Sequence, residues 1–248
     1  MMAWSFEPGV IVPLMITALL YRRGKTATSR ERGFFWLGFA FLAIALISPI
    51  DKLGEQLFSA HMTQHEILMI CAAPLFIASR PGVPLLFGLP LAMRRILGRI
   101  GKWLLWDTLK HPVSAWSIHA AAIWGWHAPA LFNATLESEW IHAAQHLSFF
   151  GSALLFWWSI LDGSKGAGLV SSFSTALHTS ILGALLTFSR TLWYQPYAAT
   201  VPRWGWTPIE DQQTGGLIMW VPAALVYVAT GLILLYSILQ TGEREYAQ

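Results

Sequence analysis

The chain has 248 residues, 55% of them hydrophobic and only 12% charged, with 14 Trp and 14 Phe, and a mean hydropathy of +0.50; a soluble domain carries about 25% charged residues. That balance excludes an ordinary soluble domain and marks an integral membrane protein, and a net charge of +3 dispersed among loops leaves no nucleic-acid footprint. The single Cys71 excludes an intramolecular disulfide framework, a CxxC metal-transfer motif and a Cys-rich zinc site, so soft-metal chemistry has to rest on His, Met or carboxylate.

About 20 mainly apolar residues cross a hydrocarbon core of roughly 30 Å. Seven segments approach that length, at 5–21, 33–50, 57–79, 113–134, 140–161, 169–194 and 216–240. The first is short and interrupted by Pro8, Gly9 and Pro13, and the MMAWSFEPGV that opens it lacks the basic region of a cleavable signal peptide, so it reads as a retained span. RRGKTATSRER separates it from the second, and DKLGEQ leads into the third, which carries HMTQHE at 61–66. Residues 80–112 do not read as a span: Pro81, Pro84, Gly88 and Pro90 break the first part, and Arg94, Arg95, Arg99 and Lys102 punctuate the second. LAMRRILGRIGKWLLW, near 91–106, reads as an interfacial amphipathic helix, with a solvated basic loop as the alternative. The fourth span contains WGWHAP, the fifth opens on HAAQH at 142–146, and the loop after the sixth ends in EDQQTGGLIMW. The fold class is therefore all-α, a polytopic membrane bundle of seven helices forming one domain over 1–248.

Alternate loops decide the orientation. Residues 22–32, 80–112, 162–168 and the C-terminal tail hold 13 of the 16 Lys and Arg, whereas the opposite side has Lys52, Arg190 and Arg203 together with Glu7, Asp51, Glu55, Glu137, Glu139, Glu210 and Asp211. The positive-inside rule then places the N-terminus outside and the C-terminus in the cytoplasm. With a rise of about 1.5 Å per residue, His61 and His65 lie roughly 6 and 12 Å from the outer end of the third helix. His127 comes near the exit of the fourth helix, His142 and His146 fall in the first two turns of the fifth, and Met219 lies about one turn into the seventh, just after Asp211 and Gln212. All share the outer leaflet.

An i, i+4 His pair puts two imidazoles on one helix face about 6 Å apart, close enough to share one metal ion. Two such pairs at one depth, with His127 between them in sequence, make His61, His65, His127, His142 and His146 the candidate metal ligands. Glu66, Met69, Asp211, Gln212 and Met219 are further candidates, as ligands or as groups that orient the imidazoles. Each has a plainer reading. Intramembrane His also bonds neighbouring helices, which suits the isolated His119 and His178 near mid-membrane, and Met fills gaps in bundles. The outer tryptophans suit an interfacial belt, and Pro74, Pro129 and Pro222 suit kinks. Imidazole with thioether favours copper, particularly Cu(I); imidazole with carboxylate and water favours zinc. Bis-His haem is a third possibility, but paired histidines on both helices would stack two haems about 6 Å apart.

HMTQHEILMICAAPLFIASRP, WGWHAPALFNATL, WIHAAQHLSFFGSALLFWW and DQQTGGLIMWVP together resemble, in order, the motifs of the CtaG-like family of seven-helix cytochrome c oxidase assembly factors. The resemblance implies a non-enzymatic, multi-pass protein of the bacterial inner membrane that matures an aa-type oxidase. It also implies copper, supplied to an oxidase centre on the outer face, with an oxidase subunit or a soluble copper donor as partner. A copper permease, a seven-helix zinc hydrolase and a membrane cytochrome are the competing expectations. The hydrolase lacks HExxH, because His65-Glu66 stands in the wrong order.

Overall fold

A computed structural model describes residues 4–103, 106–109 and 111–246, without the side chains of 98–103, 106, 107 and 242–246. It is all-α, with no strand among the described residues. The helices are α1 (Pro8–Gly24), α2 (Ser29–Ile47), α3 (Pro49–Gly54), α4 (Phe58–Glu66), α5 (Ala73–Ala78), α6 (Gly82–Gly88), α7 (Leu91–Trp103), α8 (Trp106–Leu109), α9 (Pro112–His127), α10 (Pro129–Glu137), α11 (Glu139–Asp162), α12 (Lys165–Phe188) and α13 (Pro208–Tyr246). Each of the seven apolar segments is helical. By length and composition, Lys165–Phe188 and Pro208–Thr241 are apolar enough to cross a membrane, and so is Phe58–Ala78 with Gly82–Gly88 if this pair, bent by 73°, counts as one span. Only 22% of the most apolar window of α13 is buried inside the protein, so Val221, Leu225, Leu232 and Ile233 face outward. Such an inside-out surface is that of a membrane protein.

The structure departs from the sequence reading in four places. The fourth segment is cut at Ala128, whose extended φ −62°, ψ 128° separates α9 from α10; the ring of Pro129 disfavours helical geometry in the residue before it. The sixth segment stops at Phe188, and the chain then runs through short 3₁₀ turns at Gln195–Ala199 and Val201–Trp204. The seventh begins early, at Pro208. The Pro-rich stretch after residue 80 forms α6, because Pro84 falls in its first turn, where no N–H is missed. α6 lies against α1 so closely that a Cβ on Gly88 would meet Leu20 O at 2.1 Å. The amphipathic segment near 91–106 begins as α7, with Leu91, Met93, Ile96 and Leu97 exposed; residues 104 and 105 and the side chains of Arg99 and Lys102 lie outside the described residues.

The third segment is the axis of the bundle. Between α4 and α5 it widens into a π-helical stretch, Ile67–Ala72, and Pro74 explains why. Ala73 N–H donates to Leu68 O, and Pro74 has no N–H for Met69 O. The orphaned carbonyl is taken instead by Trp157 Nε1 at 2.8 Å, which fastens α11 to the axis. α2 and α11 pack along this axis, and α13 along α4. Small residues set the separations: a Cβ on Gly215 would meet Phe58 at 2.3 Å, and one on Gly216 would meet Gly183 O at 2.8 Å. This is how helices approach where lipid removes the hydrophobic drive between them.

Candidate metal centre

α4 and α11 carry the two His pairs, and α9 supplies the fifth imidazole. Asp211 sets the start of α4: it accepts from Phe58 N at 2.6 Å and from Ser59 N at 3.2 Å, and from Ser59 Oγ at 2.5 Å. Two orphan donors of the helix N-terminus are thereby satisfied by a carboxylate from another helix.

The imidazoles converge. Ring centroids lie 4.4 Å apart for His61–His65, 4.2 Å for His142–His146, 5.2 Å for His61–His142 and 5.5 Å for His65–His146. Two groups of donors form within this cluster. His61, His65 and His146 each bring one ligating atom to within 4.8 Å of the other two, and so do Asp51, His142 and His146. His146 belongs to both. His65 is 1% exposed, yet neither of its ring nitrogens has a hydrogen-bond partner, and His142 and His146 each leave Nε2 unpaired. Buried polar atoms are rarely left so.

The surrounding bonds hold these rings in place. His61 Nε2 lies 3.1 Å from Gln145 Oε1, and its Nδ1 lies 3.4 Å from Gly54 O. Gln64 donates to Asp51 Oδ1 at 2.9 Å and to Ala45 O at 2.7 Å, which turns the carboxylate of α3 toward α11. Burial raises the Asp51 carboxyl, and the Gln64 bond opposes it. Phe58, Phe132, Tyr194 and Tyr197 form an aromatic cap, with Phe132 4.9 Å from His61 and 4.1 Å from Tyr194. Tyr194 donates to His127 O at 2.9 Å and Tyr197 to Gly54 O at 2.7 Å. The cluster is thus closed except on the side of the half-buried His142.

The sequence-derived candidates separate into three sets. His61, His65, His142 and His146 come together. His127 lies beside them, its ring 6.4 Å from His65, but belongs to neither donor group; Nδ1 donates to Ile123 O at 2.7 Å and Nε2 faces Met62 Sδ at 3.4 Å. Glu66, Met69 and Met219 line a neighbouring cavity. Asp211 and Gln212 hold backbone: Gln212 Oε1 accepts from Trp193 N at 2.7 Å, and its amide donates to Thr191 O at 3.1 Å. Asp51, Gln64 and Gln145 are neighbours of the imidazoles that sequence reasoning passed over. The two glutamines stand inside HMTQHE and HAAQH, where an amide in an apolar helix was itself a signal. His119 bonds Ser152 Oγ at 3.0 Å, and His178 accepts from Trp124 Nε1 at 3.3 Å, as helix-bridging residues do.

The model of one protein family, the cytochrome c oxidase caa3 assembly factor (Caa3_CtaG), matches residues 13–241. The chain belongs to this family. As a Caa3_CtaG member it is similar to uncharacterized proteins of Mycobacterium bovis and Mycobacterium tuberculosis, each 26% identical over 256 residues and matched over 91% of this chain and 38% of theirs. A Mycobacterium leprae protein is 24% identical over 253 residues, with the same coverage. The Caa3_CtaG chain thus spans about 38% of the length of these curated relatives. No solved structure matches it.

Proposed function

We propose that this protein is a multi-pass inner-membrane assembly factor that binds Cu(I) at the outer-leaflet histidine cluster and delivers it to a cytochrome c oxidase centre. The family supports the oxidase assignment. The observation that carries the metal assignment is the pair of overlapping donor groups, His61–His65–His146 and Asp51–His142–His146, in which His65, His142 and His146 keep buried ring nitrogens without a hydrogen-bond partner.

Seven spans with the N-terminus outside suit this reading, because they put α3, the start of α4 and the start of α11 at the outer face, with the basic loops in the cytoplasm. A neutral imidazole gives one lone pair to one ion, so His146 serves one donor group at a time. The groups then act as alternative positions for a single ion: Asp51 and His142 receive it at the open side, and His61 and His65 hold it under the aromatic cap. A carrier needs a site it can empty, and an ion that steps outward by exchanging two ligands around a fixed His146 meets that need. The docking partner, an oxidase subunit or a soluble copper donor, meets the same outer face.

The carboxylate–imidazole group favours a second cargo, Zn(II). Titration of the purified chain with each metal separates the two. Cu(I) is expected to bind stoichiometrically and to be lost in His61→Ala/His142→Ala, with oxidase activity falling in a strain carrying that variant; unchanged Cu(I) binding by the variant would overturn the ligand assignment.

A further inference from the structure

Beneath the imidazoles, on the side away from the aromatic cap, lies a cavity of about 10 Å³, the space of one water-sized sphere. Met62, Met69 and Met219 line it together with His65, Glu66 and His127, and all six are buried. Four helices contribute, since Met62, His65 and Glu66 come from α4, His127 from α9, Thr179 from α12 and Met219 from α13.

Two features of this cavity call for a cation. The first is a facing pair of lone pairs. His127 Nδ1 lies 2.7 Å from Ile123 O, and a carbonyl only accepts, so Nδ1 carries the proton and Nε2 of the neutral ring is the acceptor. That Nε2 faces Met62 Sδ at 3.4 Å, another acceptor, with nothing to donate between them. An N–H···S bond in its place requires a charged imidazolium in the apolar interior, which is the costlier arrangement. With metal–nitrogen and metal–sulfur distances of ~2.0 and ~2.3 Å, an ion bridging the 3.4 Å gap subtends an angle of about 100°, close to tetrahedral. The second feature is Glu66. Its Oε2 is buried without a hydrogen-bond partner, and among the described residues no ion pair reaches it. A buried carboxylate is strongly disfavoured until a positive charge joins it.

We infer that this cavity is a second, sulfur-containing subsite for a soft monovalent cation, held by His127 Nε2 and the thioethers of Met62, Met69 and Met219, with Glu66 as its counter-charge. Thioethers select Cu(I) or Ag(I) over Zn(II). One negative charge balances one monovalent ion, and leaves a divalent ion uncompensated in the interior. His65 lines the cavity and belongs to the upper His61–His65–His146 group as well, so it joins the two positions. This inference rests on the copper reading above and extends it from one exchangeable ion to a reservoir behind the delivery position.

The test is X-ray absorption and equilibrium titration of the full purified chain with Cu(I), and with Ag(I) as a redox-inert probe. The wild type is expected to bind two equivalents and to give a spectrum with both nitrogen and sulfur neighbours. The triple variant Met62→Leu/Met69→Leu/Met219→Leu, close in volume, removes the sulfur component and one equivalent, while Glu66→Gln weakens that equivalent by about tenfold or more for the loss of one buried charge partner. A nitrogen-only spectrum in the wild type overturns the inference without recourse to any variant, as does sulfur ligation that survives the Met substitutions. Failure of the histidine reading looks different: His61→Ala/His142→Ala then loses no metal, and the sulfur component is unaffected.

Discussion

Asp211 links the seventh-helix motif to the histidines without touching them, and its removal has a calculable consequence. In Asp211→Ala the N–H groups of Phe58 and Ser59 lose their acceptor. Phe58 is 1% exposed, so water replaces the carboxylate poorly there. An unsatisfied buried donor costs about 1–3 kcal/mol and a lost cap about 1 kcal/mol; with Ser59 N only partly buried, the variant should lose about 2–4 kcal/mol of stability. Asp211→Asn keeps one oxygen acceptor, which can serve Phe58 N, and replaces the other by an NH2 that can donate to Ser59 Oγ but cannot accept from the partly buried Ser59 N. With one partly buried donor left without an acceptor, the loss should be about 1–2 kcal/mol, smaller than that of the Ala variant. Denaturant titration in mixed micelles measures both variants. Equal losses for Ala and Asn, or an Ala loss below about 0.5 kcal/mol, would refute the cap as the reason for this residue.

Two further substitutions probe the frame. Trp157→Phe strips Met69 O of its only donor outside the helix and should cost about 1–2 kcal/mol; in a Pro74→Ala background the restored N–H supplies that carbonyl, so a double-mutant cycle should recover most of the loss, and additive losses would contradict the origin given for the π stretch. Gly216→Ala places a Cβ 2.5 Å from Thr187 Oγ1 and 2.8 Å from Gly183 O. Forcing α12 and α13 apart should cost about 1–3 kcal/mol, seen as a lower melting temperature in detergent, whereas Gly151→Ala, with open space around its Cβ position, should be neutral.

Much of this architecture was legible in the chain. Apolar runs separated by polar punctuation marked seven helical segments, of which two, or three with the bent pair, are long and apolar enough to cross a membrane. The i, i+4 spacing put His61 with His65 and His142 with His146, and matched depth brought the pairs together. What stayed hidden depended on partners distant in sequence. Asp211 stood beside the motif as a plausible ligand, but α4 begins within reach of it and offers two bare N–H groups, which a carboxylate satisfies. Asp51 looked like one more outer acid until α3, started by Ser48 and Pro49, turned it back toward Gln64. The break at Ala128 was foreshadowed by Pro129, yet the aromatic cap, which draws Tyr194 and Tyr197 from the loop after α12 onto Phe58 and Phe132, had no periodicity to reveal it. Regular elements are written in local pattern; the loop that closes a site is fixed by what it covers.

The order of ligand types along the axis bears on direction. Oxygen and imidazole stand at the open edge with Asp51 and His142, imidazole alone lies behind them, and thioether with a carboxylate lies deepest, beside Met69 and Met219. Below that cavity the path is filled: Phe156, Trp157 and Tyr227 are fully or nearly fully buried, with Trp157 and Tyr227 stacked at 5.7 Å and Phe156 edge-on to Tyr227 at 5.6 Å. His119 continues downward only as far as Ser152, and His178 points to Trp124. An ion held by these residues therefore has softer ligands behind it and harder, exchangeable ones in front, with an aromatic plug in place of a conducting path. Under the reading proposed above, an ion held there would be taken up and released on one face, which suits delivery to a partner on that face better than transport across the membrane.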